Sequence, residues 1–348
     1  GSPIQTVQLS LPLKGHIEIL QRISKARNTL ALLKVPGAKR TLIIGAHGDH
    51  LGKGHPPSSR ATSEDKDLIH YGADDNASGM AGVLELAHYF SSAYSQKLFH
   101  PKQNILFAIW SGEELGNLGS SHFVKKYKNK YHISAYLNMD MIGRFQGKLL
   151  VQGVGSSPQW PLLLEQMAAQ NPLPIKALYS PYLPTDSTSF YLAQTPILNF
   201  FTGSHEDYHT PRDTADKITI PETTKVIQYI QQITEMIATK NFSLPYHKVS
   251  DIAPSPRNKG FRTYLGTIPD YTQDNIQGVA LSGVINNGPA QKAGLKKGDI
   301  IVELGNTPIR SIYDYVASLK ALVPGKKTEI VVLRNHKKLK LSITPLLR

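Results

Sequence analysis

No cysteine occurs in the chain. Its absence excludes disulfides, thiolate metal sites and cysteine nucleophiles together, and leaves His, Asp and Glu to hold any metal. Long apolar runs are also missing: none approaches the roughly 18 residues that a membrane-spanning helix needs. Acidic residues are in deficit, with 26 Asp+Glu against 39 Lys+Arg and a formal charge of +13. Such a balance invites nucleic acid or anionic membranes as partners. The lysines are scattered, however, and no basic stripe interleaved with aromatics is visible, so no nucleic-acid groove is expected. The surplus is uneven, +5 over residues 1–248 and +8 over residues 249–348. At 348 residues and 40% apolar content the chain is expected to form two domains with real cores. The opening Gly1-Ser2 reads as the remnant of a cleaved tag, so a natural leader peptide would lie outside this sequence.

Strand-length apolar runs alternate with helical stretches through the first two thirds. Thr41–Ala46, Asn104–Trp110, Ser134–Met139, Leu149–Val154 and Pro196–Phe201 read as strands, each too short for a buried helix. Ser78–Phe90, Pro158–Gln170 and Pro221–Lys240 read as helices. The last places Pro221 in its first turn and Val226, Ile227, Ile230, Ile233 and Ile237 on one stripe. This alternation predicts an α/β fold, a doubly wound and mostly parallel sheet with helices on both faces. Sites in such folds gather at the C-terminal ends of strands. Residues 241–260 carry three prolines and no stripe, which marks a linker. The expected boundaries are 1–245, 246–257 and 258–348, the last region being small and β-rich. The long polar loop Gly52–Tyr71 reads as a rim or lid.

Five segments place acids and histidines where those strands end or a helix begins: His47-Gly48-Asp49-His50, Asp74-Asp75-Asn76, Glu113-Glu114, Asp140, and Asp207-Tyr208-His209. Singly, each has an ordinary explanation: Asp before a helix caps it, and paired glutamates usually face water. Together they fall at equivalent places in the alternation. Glu113 and Glu114 would put two like charges at one site end, which is costly unless a cation compensates or one carboxylate takes up a proton. A pair of dications about 3.5–4 Å apart needs this set: a bridging carboxylate, a histidine and a carboxylate for each ion, and a free carboxylate as proton carrier. A carboxylate two residues from a ligand histidine, as Asp49 is from His47, suits fixing its tautomer.

The motifs GAHGDHLG, HYGADDNASG, WSGEELGNLGS, NMDMIGR and DYHTPRDT resemble the co-catalytic zinc aminopeptidases, whose relatives include bacterial leucine-type aminopeptidases and glutamate carboxypeptidases. The resemblance covers roughly residues 25–240. It implies two Zn2+ per chain: one held by His47 and Asp140, the other by Glu114 and His209, with Asp75 bridging. It implies Glu113 as general base and acid, Tyr208 as an aid to the oxyanion, and a cis peptide bond between Asp75 and Asn76. Asp186 matches a family position near the pocket, although Thr188 stands where the family often has histidine. His50 and His55 read as ordinary surface residues, and His205 and Glu206 stand where a substrate entrance would be.

Residues 258–348 resemble a PDZ domain of the bacterial protease type. Tyr264-Leu265-Gly266-Thr267 matches the carboxylate-binding loop, followed by Gly288-Pro289-Ala290, Ala293-Gly294-Leu295 and Gly298-Asp299. Such a domain adds a peptide as an edge strand. The resemblances imply an aminopeptidase acting on peptides with free N-termini, a second peptide or protein C-terminus at the PDZ domain, and a secreted, periplasmic or cell-envelope location. Two alternatives stand beside this: a catalytically dead scaffold working through its PDZ domain, and a carboxypeptidase or glutaminyl cyclase on the same scaffold.

Overall fold

The computed structural model describes residues 25–53, 58–61, 64–65, 67–239, 244–249, 263–269, 276–284, 288–310 and 312–347. In the first region the chain runs through β1 (Thr29–Leu33), β2 (Thr41–His47), the two-residue strands β3 (Gly52–Lys53) and β4 (Ile69–His70), α1 (Gly79–Ser95), β5 (Asn104–Trp110), α2 (Leu118–Tyr131), β6 (Ile133–Met139) and β7 (Leu149–Gln152). It continues through α3 (Trp160–Gln170), β8 (Ile175–Leu178), α4 (Ser187–Leu192), β9 (Ile197–Phe201) and α5 (Ile220–Thr239). Every strand and helix expected from periodicity is present, with shifted ends. α1 runs on to Ser95 as Ala93 and Tyr94 find the core, and β7 stops at Gln152 because Gly153 turns left-handed (φ 83°).

Seven strands form one sheet in the order β1-β5-β2-β6-β9-β7-β8. β5, β2, β6 and β9 pair in parallel. β1 is antiparallel to β5, and β7, itself parallel to β8, is antiparallel to β9. The period of two sends successive side chains to opposite faces. Leu42, Ile44 and Ala46 of β2 join one core with α1, α3 and α5; Ile43 joins the other with Phe123 of α2 and Phe190 of α4. Helices on both faces explain why all seven residues of β2 are buried. Gly45 sits where the indole of Trp110 and the phenol of Tyr136 close over the strand; a Cβ there would fall 2.6 Å from Trp110 Nε1. Residues 244–249 also pack here: Leu244 joins the first core, and the Val249 N–H donates to Tyr191 Oη at 2.8 Å. The rest of the expected linker, residues 250–257, lies outside the described residues.

The C-terminal region contains β10 (Thr263–Tyr264), β11 (Thr267–Pro269), β12 (Val279–Val284), α6 (Pro289–Lys292), β13 (Ile300–Leu304), β14 (Thr307–Pro308), α7 (Ile312–Ala321), β15 (Thr328–Arg334), β16 (Lys337–Ile343) and β17 (Leu346–Leu347). Its larger sheet runs β11-β12-β13-β15-β16, with β14 on β13, all antiparallel. A separate core of Leu265, Leu281, Ile301, Tyr315, Ile330 and Val332 lies beneath it. Asp299 of the Gly298-Asp299 turn is fully buried and accepts a two-pronged bond from Arg334, Nε and Nη2 each at 2.7 Å, the geometry in which a buried carboxylate is best compensated.

Candidate metal centre

Because β2, β5, β6 and β9 are parallel, their C-terminal ends open on one edge of the sheet. His47 is the last residue of β2, Glu113 and Glu114 follow β5, Asp140 follows β6, and Tyr208 and His209 lie on the loop after β9. Asp75 reaches the same edge from the tight turn Ala73–Ser78 ahead of α1. Five segments far apart in sequence thus meet around one cleft of about 120 Å³.

His47 Nε2 lies 3.2 Å from Asp75 Oδ1 and 3.6 Å from Asp140 Oδ1. On the other side His209 Nε2 lies 3.0 Å from Asp75 Oδ2 and 3.2 Å from Glu114 Oε2. Asp75 therefore turns one oxygen to each group. The tautomers follow from the outer nitrogens. His47 Nδ1 faces the Asp49 carbonyl at 3.0 Å, and His209 Nδ1 faces the Ser58 carbonyl at 2.9 Å. A carbonyl only accepts, so both Nδ1 atoms carry hydrogen, and both Nε2 atoms point inward, where each offers a lone pair once a bound cation displaces its proton.

The turn holding Asp75 is built from buried hydrogen bonds. Asp213 Oδ2 accepts the N–H groups of Asp74 and Asp75, each at 3.0 Å. Asn76 donates to the Met139 carbonyl and accepts from the N–H groups of Gly79 and Met141. Gly72 supplies a left-handed residue (φ 61°), and any side chain there would strike the ring of His50. The Asp75–Asn76 peptide bond is cis. Asp74, the neighbouring acid, faces away from the cleft: its carboxylate takes the Gly143 N–H, the Ser78 hydroxyl and His205 Nε2.

Asp49 does something other than the expected task. Its side chain lies 3.9 Å from His47 Nδ1, and the backbone carbonyl is what meets the imidazole. The carboxylate instead accepts the N–H groups of Glu113 at 3.0 Å and Glu114 at 3.3 Å, holding the turn that carries both acids. His50 is no surface residue. Its side chain is 11% exposed and its Nδ1 lies 3.0 Å from Glu114 Oε1; the proximity of HxDH to a ligand turn was the missed signal. His55 lies outside the described residues. His205 is buried against Asp74, with Arg144 donating to its Nδ1, so it braces the Asp75 turn and does not line an entrance. Glu206 is exposed.

Electrostatics divide the two adjacent glutamates. Burial raises the Glu113 carboxyl well above its ordinary value; His47 opposes this, and Asp140, Asp186 and Glu114 add repulsion. For Glu114 burial is outweighed by His209 and His50, and its carboxyl is lowered. Burial also works against the charge on His209, yet Asp75 and Glu114 bring it up to about 9. Burial lifts the Asp186 carboxyl to about 7, against the opposing pull of His47 and Ser120. Among the described residues no Lys or Arg pairs with Asp75, Glu113, Glu114 or Asp140. Four packed carboxylates without a fixed cation fit a site for dications. Two sets of three donor residues, His47-Asp75-Asp140 and His50-Asp75-Glu114, have ligand atoms within 4.8 Å of one another. Tyr208 lines the cleft with its ring stacked on His209, centroids 3.8 Å apart.

A mostly parallel sheet thus gathers acids and histidines at one edge of an α/β fold, in a geometry that suits divalent metal. The profile of Peptidase family M28 matches residues 28–234, and that of the PDZ domain matches residues 257–344. The chain belongs to Peptidase family M28 and carries a PDZ domain. It is 36% identical over 110 residues to a probable leucine aminopeptidase of Arthroderma otae, covering 31% of this chain and 27% of that protein. It is 30% identical over 155 residues to an aminopeptidase of Pseudomonas aeruginosa, covering 44% and 24%. A third relative, a probable zinc metalloprotease of Pyrenophora tritici-repentis, is 37% identical over 95 residues, 27% of this chain and 20% of that one. The chain thus matches about a quarter of the length of these curated relatives. Among solved structures, Legionella LapA superposes with a TM-score of 0.51 at 20% identity, over 61% of this chain and 57% of LapA. Porphyromonas gingivalis glutaminyl cyclase gives 0.50 at 18%, over 60% and 77%. At these identities the likeness is one of fold.

Proposed function

We propose that the chain is a two-zinc aminopeptidase that hydrolyses the N-terminal peptide bond of peptides. The observation that carries this is Asp75 turning one oxygen to His47, which also meets Asp140, and the other to His209, which also meets Glu114, with Glu113 outside both groups. His47 and Asp140 would hold one Zn2+, Glu114 and His209 the other, with Asp75 between. When bound, the pair supplies an acidified water and a positive field for the scissile carbonyl oxygen. Glu113 accepts the proton from the attacking water and delivers it to the leaving amine. Its raised carboxyl suits both halves of that transfer, whereas its lowered neighbour suits a ligand. Asp49 keeps the two glutamates in register, and the Tyr208 hydroxyl donates to the developing oxyanion.

Acidity also favours a free amine in the substrate. Among the described residues lining the cleft there is no Lys or Arg to receive a carboxylate, which weighs against a carboxypeptidase. The full set of ligand residues and the base weigh against a dead scaffold and against a cyclase with a reduced site. The zinc metalloprotease named among the relatives supports the choice of metal. We place the catalytic domain at 1–245, the linker at 246–257 and the PDZ domain at 258–348, the last taking a peptide C-terminus along β11, with the whole protein secreted, periplasmic or at the cell envelope.

The test is turnover of aminoacyl chromogenic amides, with N-acetylated controls, before and after chelation. Activity on the free-amine series that disappears on chelation and returns with zinc is expected. Equal hydrolysis of the blocked controls would overturn the aminopeptidase reading.

A further inference from the structure

The two histidine arms of the centre are supported differently. His47 closes β2 and donates to the carbonyl of Asp49, two residues along its own chain. His209 depends on a remote segment. Its Nδ1 donates to the Ser58 carbonyl at 2.9 Å, and its own carbonyl accepts the Arg60 N–H at 2.8 Å. His209 is a non-glycine residue in the left-handed region (φ 59°), so its conformation relies on such external bonds. Residues 58–60 therefore clasp it on both sides.

Holding that clasp is His70, a buried residue at 3% exposure in β4. Its Nδ1 faces the Gly52 carbonyl at 3.1 Å and donates to it, and its Nε2 lies 2.7 Å from Ser59 Oγ, within hydrogen-bond reach. Ser59 Oγ in turn accepts the Ala61 N–H at 3.1 Å. One imidazole thus ties the start of the polar loop, at Gly52, to the segment that orients His209. A shift of Ser58 would leave His209 Nδ1–H without a partner and free the ring to turn its Nε2 off Asp75 and Glu114.

Resting on the two-metal reading above, we infer that His70 is a positioning residue for the Glu114–His209 half of the centre. Through Ser59 and the Ser58 carbonyl it sets the affinity of that half for its metal, and it leaves the His47–Asp140 half untouched. The experiment titrates Zn2+ into the chelator-stripped full-length protein in competition with a chromophoric chelator, so that each equivalent is read separately from activity. In His70→Ala one of the two equivalents is expected to lose about 10- to 100-fold in affinity, the range usual for outer-shell partners of a ligand histidine, with the other unchanged. His70→Gln keeps a hydrogen-bonding side chain for Ser59 and loses less. Ser59→Ala removes a single bond from the clasp, shifts affinity in the same direction, and serves if His70→Ala does not fold. Two equivalents bound as in wild type by both Ala variants would overturn the proposal, as would equal weakening of both. Wild-type protein that takes up fewer than two zinc ions would instead overturn the two-metal reading on which it rests.

Discussion

At the scale of single residues, Glu113 and Glu114 share a turn, a parent strand and a clamp from Asp49, and differ in their neighbours. Glu114 meets His209 and His50; Glu113 meets mostly other acids. Glu113→Gln is therefore expected to lose about two to four orders of magnitude in kcat, the usual effect of removing a general base, with zinc content kept near that of wild type. Glu114→Gln should lose zinc as well. Metal analysis of the two variants side by side checks the assignment, and the reverse pattern would exchange their roles. Asp186 adds a prediction in pH. Its carboxyl, lifted to about 7 chiefly by burial, binds its proton more tightly folded than unfolded. Its contribution to stability is then present below the unfolded value and lost as pH rises through about 7. Glu113, Asp140, His47 and His209, all raised in the metal-free protein, act in the same direction. The melting temperature of chelated protein should fall between pH 5 and pH 8, and Asp186→Asn should fall less. Parallel curves for the two proteins would refute this role.

Secondary-structure elements were the most legible level, because their signals are local. β5 is six apolar residues after Asn104, bounded by polar ones, and α5 presents its stripe at helical spacing; neither needs its neighbours to be recognised. The five segments that meet at the cleft could be found for the same reason, since a parallel sheet brings every strand end to one edge. What sequence could not show was which atom of a residue is used. Asp49 lies at a spacing suited to orienting His47, but its backbone reaches the imidazole first and releases the carboxylate to the Glu113 turn. His50 read as a surface residue and His205 as part of an entrance because their partners, Glu114 and Asp74, lie 64 and 131 residues away. The turn carrying Asp75 is similarly held from a distance by Asn76, whose side chain bonds three backbone groups. Asn76→Ala would take this partner from the Met139 carbonyl and the Met141 N–H, whereas the Gly79 N–H keeps the Asn76 backbone carbonyl. At about 1–3 kcal/mol for each such group, a loss of several kcal/mol is expected, read as a lower urea midpoint with an unchanged slope. A midpoint within error of wild type would show that water replaces the amide.

On the scale of the whole molecule, the buried clusters keep to their own regions. The cores against the seven-stranded sheet draw on residues up to Tyr246, and that of the PDZ domain begins at Leu265. Each proposed ligand lies at or before His209. Where the chain is cut nevertheless matters, since Leu244 is buried in the first core, the His247 N–H donates to the Ser156 carbonyl at 2.8 Å, and Val249 bonds Tyr191. A cut near residue 240 would strip these contacts and expose apolar surface, whereas removing 258–348 spares them. The protein lacking 258–348 is therefore expected to fold, to bind as much zinc as the full chain, and to turn over small aminoacyl amides with kcat/KM within about threefold of it, as a domain with its own core should. Binding of peptides through a free C-terminus should be lost, because β11 and the Tyr264–Thr267 loop go with the deleted part. Zinc content, a thermal melt and amide turnover measured on one preparation decide the matter. A truncated protein that melts cooperatively and retains its zinc but no longer cleaves small amides would mean that the PDZ domain completes the active site, and that the proposed centre is insufficient by itself.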